Sequence, residues 1–182
     1  LDLLETQNEF GSGALVSCSN CMVVPLAVSL APIVRKFPVN SISISTEQSV
    51  SGAGRRVLER YREGVMPGPE IIGESQSIES ELRRILNEYD SLESDSANLK
   101  INAQCKRFPR EFGHSATVTV DLGRDVSAHE VIEAWSDFHS LVQHLDLPSG
   151  TKKPLIFDSE TGPSTTSLNH KKSNKLDIDM QK

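Results

Sequence analysis

The sequence predicts an α+β fold, a sheet with helices covering one of its faces. Three observations lead there. Val39 to Gln48 alternates, with Ile42 and Ile44 set against Ser41, Ser43 and Ser45, the period-two pattern of a strand buried on one side. Stretches with helical spacing interleave with such runs, and strands of alternating polarity argue against a doubly wound parallel sheet, whose strands are apolar on both faces. No Gly-x-Gly-x-x-Gly run follows a strand, so no dinucleotide-binding half-domain is visible.

Each element has a local reason. Residues 1 to 15 read as a connector ending in Gly11-Ser12-Gly13. Asn20 is a good N-cap for a helix whose Met22, Val23, Val24, Leu26, Ala27, Val28, Leu30 and Ala31 are apolar nearly all round. That helix should be buried, with Cys21 in its first turn and Pro32 kinking or ending it before Lys36. The strand Val39 to Gln48 runs into the small-residue turn Ser51-Gly52-Ala53-Gly54 and a polar helix around Arg55 to Tyr61. Gly64, Pro67, Gly68 and Pro69 mark a loop. Ile78, Leu82, Ile85, Leu86 and Tyr89 predict an amphipathic helix over 76–92, followed by a polar linker to Asn98. Strands are expected over Lys100 to Arg107 and Ala116 to Leu122. Ser127 and Glu130 form a capping box for a helix carrying Val131, Trp135, Phe138, Val142 and Leu145, a stripe simply read as a core face. Leu155, Ile156 and Phe157 suggest a short strand. Residues 158–182 read as a polar tail, extended or disordered.

Composition narrows the function classes. The 182 residues fit one domain at roughly 100 to 200 residues each. With 37% hydrophobic residues and no apolar run of ~20, the chain is expected to be soluble and without a membrane span. Nineteen Lys and Arg against 25 Asp and Glu give a net charge of −6, which offers no electrostatic footprint for nucleic acid. Three cysteines are too few for a disulfide scaffold and favour free thiols in a reducing compartment, the cytoplasm by default.

Cys18 and Cys21 have the spacing of a redox or metal pair, but Cys105 and the scattered histidines supply no second half for zinc, so no metal is expected. Cys18 and Cys105 suit buried structural thiols. Cys21 differs by its place at a helix N-terminus, where unpaired N–H groups and the helix dipole favour the thiolate, the attacking form. Of five histidines only His114 lies in a turn between strands and could serve as its acid/base partner.

Asn20-Cys21, then Ser45-Thr46-Glu47-Gln48-Ser49-Val50-Ser51-Gly52-Ala53-Gly54, then Arg107-Phe108-Pro109 leading to Gly113-His114, resemble the ordered signature of aspartate-semialdehyde dehydrogenases. The Ser-Thr-x-Gln-x-Val-Ser-Gly-Ala-Gly run is its specific part. The resemblance covers about residues 12–157 and implies a catalytic and dimerisation domain over 1–157, with a GAPDH-like C-terminal-domain fold and a mixed, mainly antiparallel sheet. It further implies NADP-dependent reduction of aspartyl phosphate to aspartate semialdehyde, on the route to lysine, threonine and methionine. The family's N-terminal NADP-binding domain has no counterpart in this chain, so the cofactor is expected to be held mostly by a missing domain.

By the same resemblance Cys21 is the acyl-accepting nucleophile, His114 the acid/base, and Gln48 the group that orients the substrate and polarises its carbonyl. Arg107, seven positions before His114, clamps the substrate carboxylate. Glu81 and Arg84 match a Glu-x-x-Lys pair on one helix face, for the substrate amine and the phosphate; apart from the resemblance they read as an exposed salt bridge. Asn20 lies at the phosphate position. Ser51, Gly52 and Gly54 let the cofactor approach the backbone, or simply make a tight turn. Ser19, Met22 and Arg84 stand where the family usually has Pro, Ser or Thr, and Lys. A homodimer, or a tetramer, is expected, with small-molecule substrate and phosphate as ligands. The alternatives are a catalytically silent dimerisation module, or a paralogous acyl reductase such as malonyl-CoA reductase or N-acetyl-glutamyl-phosphate reductase.

Overall fold

The structure, a computed structural model, describes residues 11, 17–87, 99–145, 148, 154–157 and 175–176 of the 182. The expected connector apart from Gly11, the linker before Leu99 and most of the expected tail lie outside the described residues. Helix α1 spans Val23–Lys36, strand β1 Val39–Gln48, a 3-10 turn Val50–Ala53, and helices α2 and α3 Arg55–Arg62 and Glu74–Asn87. Strands β2 and β3 span Lys100–Arg107 and Ser115–Leu122, helices α4 and α5 Ala128–Ser136 and Leu141–His144, and strands β4 and β5 Ile156–Phe157 and Lys175–Leu176.

The main sheet is three-stranded and mixed, in the order β2-β1-β3. β1 pairs parallel with β2, from Ser41 opposite Lys100 to Gln48 opposite Arg107, and antiparallel with β3, from Val39 opposite Leu122 to Glu47 opposite Ser115. The alternation read in β1 has its cause in one-sided packing. Ile42, Ile44, Thr46 and Gln48 are buried while Ser41, Ser43, Ser45 and Glu47 are not. Under the buried face Leu26, Leu30 and Val34 of α1 meet Ile78, Leu82 and Leu86 of α3 and Ile101 and Ala103 of β2. Each of the Leu, Ile and Val side chains contributes about 1.5–3 kcal/mol on burial. A second cluster joins Ile33 and Phe37 to Val131 and Ala134 of α4, and the Trp135 indole N–H donates to the Ser29 carbonyl at 2.9 Å.

Three local expectations are corrected. Pro32 lies inside α1, which continues to Lys36; the burial of Ile33, Val34 and Phe37 beyond it offsets the roughly 3 kcal/mol that an interior proline costs. Val24 is 50% exposed, so α1 is not buried all round. The single helix expected from Val131 to Leu145 divides after Ser136, where Ser140 starts a new turn by donating its N–H and hydroxyl to Gln143 Oε1. In the stretch expected to be extended or disordered, the described Lys175–Leu176 are extended, forming β5, which pairs with β4 in parallel. The Ser127–Glu130 capping box is present as expected. Among the described residues no helix is long and apolar enough to cross a membrane.

Candidate active site

The strand order delivers the site. β2 runs parallel to β1 and β3 antiparallel, so their connection, residues 108–114, must cross the C-terminal end of β1. Backbone bonds fasten this crossing down. Phe108 N–H donates to Gln48 O, Val50 N–H to Arg110 O and Ser51 N–H to Glu111 O, all at 2.8–3.0 Å. His114, the last residue before β3, therefore stands against Gln48 and the 3-10 turn.

Cys21 arrives from the opposite side. It occupies the turn just before α1, two positions ahead of the helix, and not the first helical turn as expected. Asn20 shapes that turn: its Oδ1 accepts from Met22 N–H at 2.8 Å and its carbonyl from Val23 N–H at 2.9 Å. Helix α3 then holds Asn20 in place, for Glu81 accepts its backbone N–H at 2.9 Å and Glu74 its side-chain amide at 2.9 Å. The outcome is a Cys21 Sγ to His114 Nε2 distance of 3.6 Å.

Electrostatics correct one expectation about Cys21. Its side chain is exposed at the mouth, yet surrounding protein still makes desolvation the largest influence, and this raises the thiol pKa; the Glu74 carboxylate raises it further, against the pull of the Cys21 and Met22 N–H groups. The position near a helix start is thus outweighed, and the sulfur is not held ionised. His114 is shifted down by burial first, then by Arg110 and Arg107, with Glu74 opposing. At neutral pH both partners are uncharged, which suits proton transfer coupled to attack better than a standing ion pair.

The remaining predicted residues divide. Gln48 and Gly52 join His114, and Ser51 is linked to it through Ser49: Gln48 is buried and donates its amide to Glu74 Oε1 at 2.6 Å, a Cβ at Gly52 would lie 3.2 Å from His114 Cε1, and Ser51 Oγ is 2.9 Å from Ser49 Oγ. Gly52 therefore makes room for the imidazole. Gly54 has φ +90°, which a side chain rarely tolerates, and open space around it. Arg107 donates to the Ser49 carbonyl at 3.2 Å. Glu81, expected to hold an amine, is engaged with Ser77 Oγ at 2.6 Å as well as Asn20, and the two hydrogen bonds hold its carboxyl below the ordinary value. Arg84, one turn further along α3, is exposed and has no ion pair with Glu81. Cys18 is exposed and Cys105 half-buried, so neither is the fully buried thiol expected.

Sequence reasoning missed Glu74, Ser49 and Arg110. Glu74 heads α3 and ties Asn20 to Gln48, yet in sequence it is one of many acidic residues in a first helical turn. Ser49 lies inside the quoted run and its N–H meets His114 Nδ1 at 3.0 Å. Arg110 stacks on Phe108 with its guanidinium carbon 5.5 Å from the ring centroid.

A mixed sheet covered on one side, with a cysteine and a histidine meeting at the end of its central strand, defines an α+β domain with a thiol–imidazole site. More particularly, the chain belongs to the family described as semialdehyde dehydrogenase, dimerisation domain, whose model matches residues 30–178. The match extends past Phe157, where the resemblance was expected to stop. The chain is 32% identical over 166 residues to an aspartate-semialdehyde dehydrogenase of Methanothermobacter thermautotrophicus, covering 90% of this chain and 48% of that protein. It is 30% identical over 180 residues to one of Archaeoglobus fulgidus, covering 98% and 51%. It spans about half the length of these relatives. Among solved structures it is similar to aspartate semialdehyde dehydrogenase with NADP from Candida albicans, with a TM-score of 0.63 and 23% identity over 86% of this chain and 45% of that one. It is also similar to aspartate semialdehyde dehydrogenase II complexed with ASA from Vibrio cholerae, at TM-score 0.67 and 18% identity over 93% and 52%. These two likenesses support the fold.

Proposed function

We propose that this chain is the catalytic and dimerisation half of an aspartate-semialdehyde dehydrogenase, taking aspartyl phosphate to aspartate semialdehyde through a thioester on Cys21. The observation that carries this reading is the 3.6 Å approach of Cys21 Sγ to His114 Nε2 in a chain of this family. The Cys21 proton passes to His114 Nε2 as sulfur bonds to the acyl carbon, and the carbon–oxygen bond to phosphate breaks, phosphate leaving with the electron pair. Reduced NADP supplies hydride chemistry when bound. His114 gives its proton to the oxygen that gains charge and takes it back as that oxygen closes the aldehyde C=O, and the proton then passes to the Cys21 sulfur as the carbon–sulfur bond breaks, which restores the thiol.

The other groups divide the binding work. Arg107 suits the substrate carboxylate, Glu81 with Glu74 the amine, Arg84 and Asn20 the phosphate, and Gln48 the reacting carbonyl. The turn Ser51 to Gly54, exposed at Gly52 and Gly54, fits the reactive end of a nicotinamide, since nothing stands within 4 Å of where a Gly54 Cβ would be. The rest of the cofactor is assigned to a domain outside this chain, and the free thiols fit a cytoplasmic protein. The exposed face of the sheet, with Ser43, Ser45, Asn102, Gln104, Thr117 and Thr119, is suited to a second copy.

The test is protection of Cys21 from alkylation, followed peptide by peptide by mass spectrometry. Aspartate semialdehyde with phosphate should slow modification of Cys21 and leave Cys18 and Cys105 unaffected. Equal rates at all three cysteines, with no protection, would overturn the reading in favour of a silent dimerisation module.

A further inference from the structure

Two groups of Ser49 converge on a single nitrogen of His114. The backbone N–H of Ser49 points at Nδ1 at 3.0 Å, and its hydroxyl oxygen lies 3.1 Å from the same atom. Ser49 is fully buried, its Oγ is 2.9 Å from Ser51 Oγ, and its carbonyl is fixed by Arg107. The position of the ring is thereby set on one side by Ser49 and on the other by Gly52.

The two groups ask opposite things of Nδ1. An N–H can only donate, so on its own it favours a bare Nδ1 and puts the single proton of a neutral ring on Nε2. In that tautomer Nε2 faces Cys21 as a donor and has no lone pair for the thiol proton. For Nε2 to accept that proton, Nδ1 must carry a hydrogen, and that hydrogen needs an acceptor. The hydroxyl oxygen can serve, turning its own hydrogen to Ser51. Resting on the acid/base role read above for His114, we propose that Ser49 is a positioning residue whose hydroxyl accepts the Nδ1 proton and so enables Nε2 to take the proton of Cys21. The proton count balances: the S–H bond breaks, the Nε2–H bond forms, and the Nδ1 hydrogen stays on the ring, bonded to Ser49 Oγ. The charged and titratable groups that also act on the ring are Cys21, Arg107, Arg110 and Glu74, and none of them offers Nδ1 this acceptor.

The experiment compares Ser49→Ala, Ser49→Gly and Ser49→Thr in the full 182-residue chain. Its two readouts are the pH profile of Cys21 alkylation and the imidazole nitrogen shifts by NMR. Ala and Gly should slow alkylation at neutral pH by roughly tenfold or more, as expected for loss of a general base, while Thr stays within about threefold of the parent. While the ring is neutral, the Nδ1 shift in the Ala and Gly variants should report a bare nitrogen, whereas the parent shows partial protonation. Gly introduces no backbone strain at φ −66° and serves if Ala does not fold. Profiles and shifts identical to the parent would overturn the role of Ser49, provided His114→Ala still slows Cys21. If His114→Ala has no effect either, it is the thiol–imidazole reading that fails.

Discussion

The His114 ring sits in the space a side chain at Gly52 would crowd, since a Cβ there would stand 3.2 Å from Cε1 and 3.5 Å from Nε2 of the ring. Gly52→Ala should therefore displace the imidazole by a few tenths of an ångström and slow Cys21 alkylation and turnover by roughly tenfold. Its melting temperature should scarcely change, because Gly52 has no positive φ. Gly54→Ala should do the reverse. With φ +90°, ψ 166° and no neighbour, it should lower stability by about 1–3 kcal/mol and leave the ring in place. Comparing thermal melts and alkylation rates of the two variants separates close approach from backbone strain.

Glu74 sets the charge of the site. Its carboxylate raises the pKa of both Cys21 and His114, so Glu74→Gln should lower both, while the new amide oxygen can still accept from Asn20 and Gln48. The midpoint of the Cys21 alkylation profile should move to lower pH. An unmoved midpoint would mean that Glu74 acts only as a structural tie.

Glu81 makes the Cys21 turn sensitive to acid. Its carboxyl is held below the ordinary value of about 4.5 by the Ser77 hydroxyl first and the Asn20 N–H second. A depressed carboxyl contributes stability that is present above its unfolded value and is lost as pH falls through the folded one. The stability difference between the parent and Glu81→Gln should be constant above about pH 4.5 and shrink below it, as read by chemical denaturation across pH.

Leu82 packs fully buried between α3 and the sheet, one residue from Glu81. Leu82→Ala should cost about 2–5 kcal/mol in urea unfolding. Because α3 also carries Glu74, the same variant should weaken the hold on Asn20 and speed hydrogen exchange at the Asn20 amide.

Much of the architecture was legible because its causes are local. The period of two in Val39 to Gln48 reports a strand with one dry face, and the strand has those bounds. The Ser127–Glu130 capping box needs only the chemistry of neighbouring residues and is present. Errors came where packing overrode a local rule. Pro32 did not end α1, since the residues after it are buried, and Cys21 fell outside the helix, since α3 fixes Asn20 three positions ahead of Val23. The assumed ionisation of Cys21 failed for the same reason, as burial and Glu74 act across space.

The amino-acid order alone determined the segments: an alternating central strand, an Asn-Cys pair at the start of an apolar helix, a glycine-bearing turn after Gln48, and a histidine before the last long strand. The tertiary structure decided which of them meet. Cys21 and His114 are 93 positions apart, and nothing periodic in the chain specifies their separation. It follows from β2 and β3 flanking β1 with opposite directions, which carries the histidine loop across the strand end, and from two α3 carboxylates drawing Asn20 toward it. Local pattern is written by short-range sterics and hydrogen bonding, whereas the meeting of remote groups, and the charge each carries there, depends on how the buried faces stack.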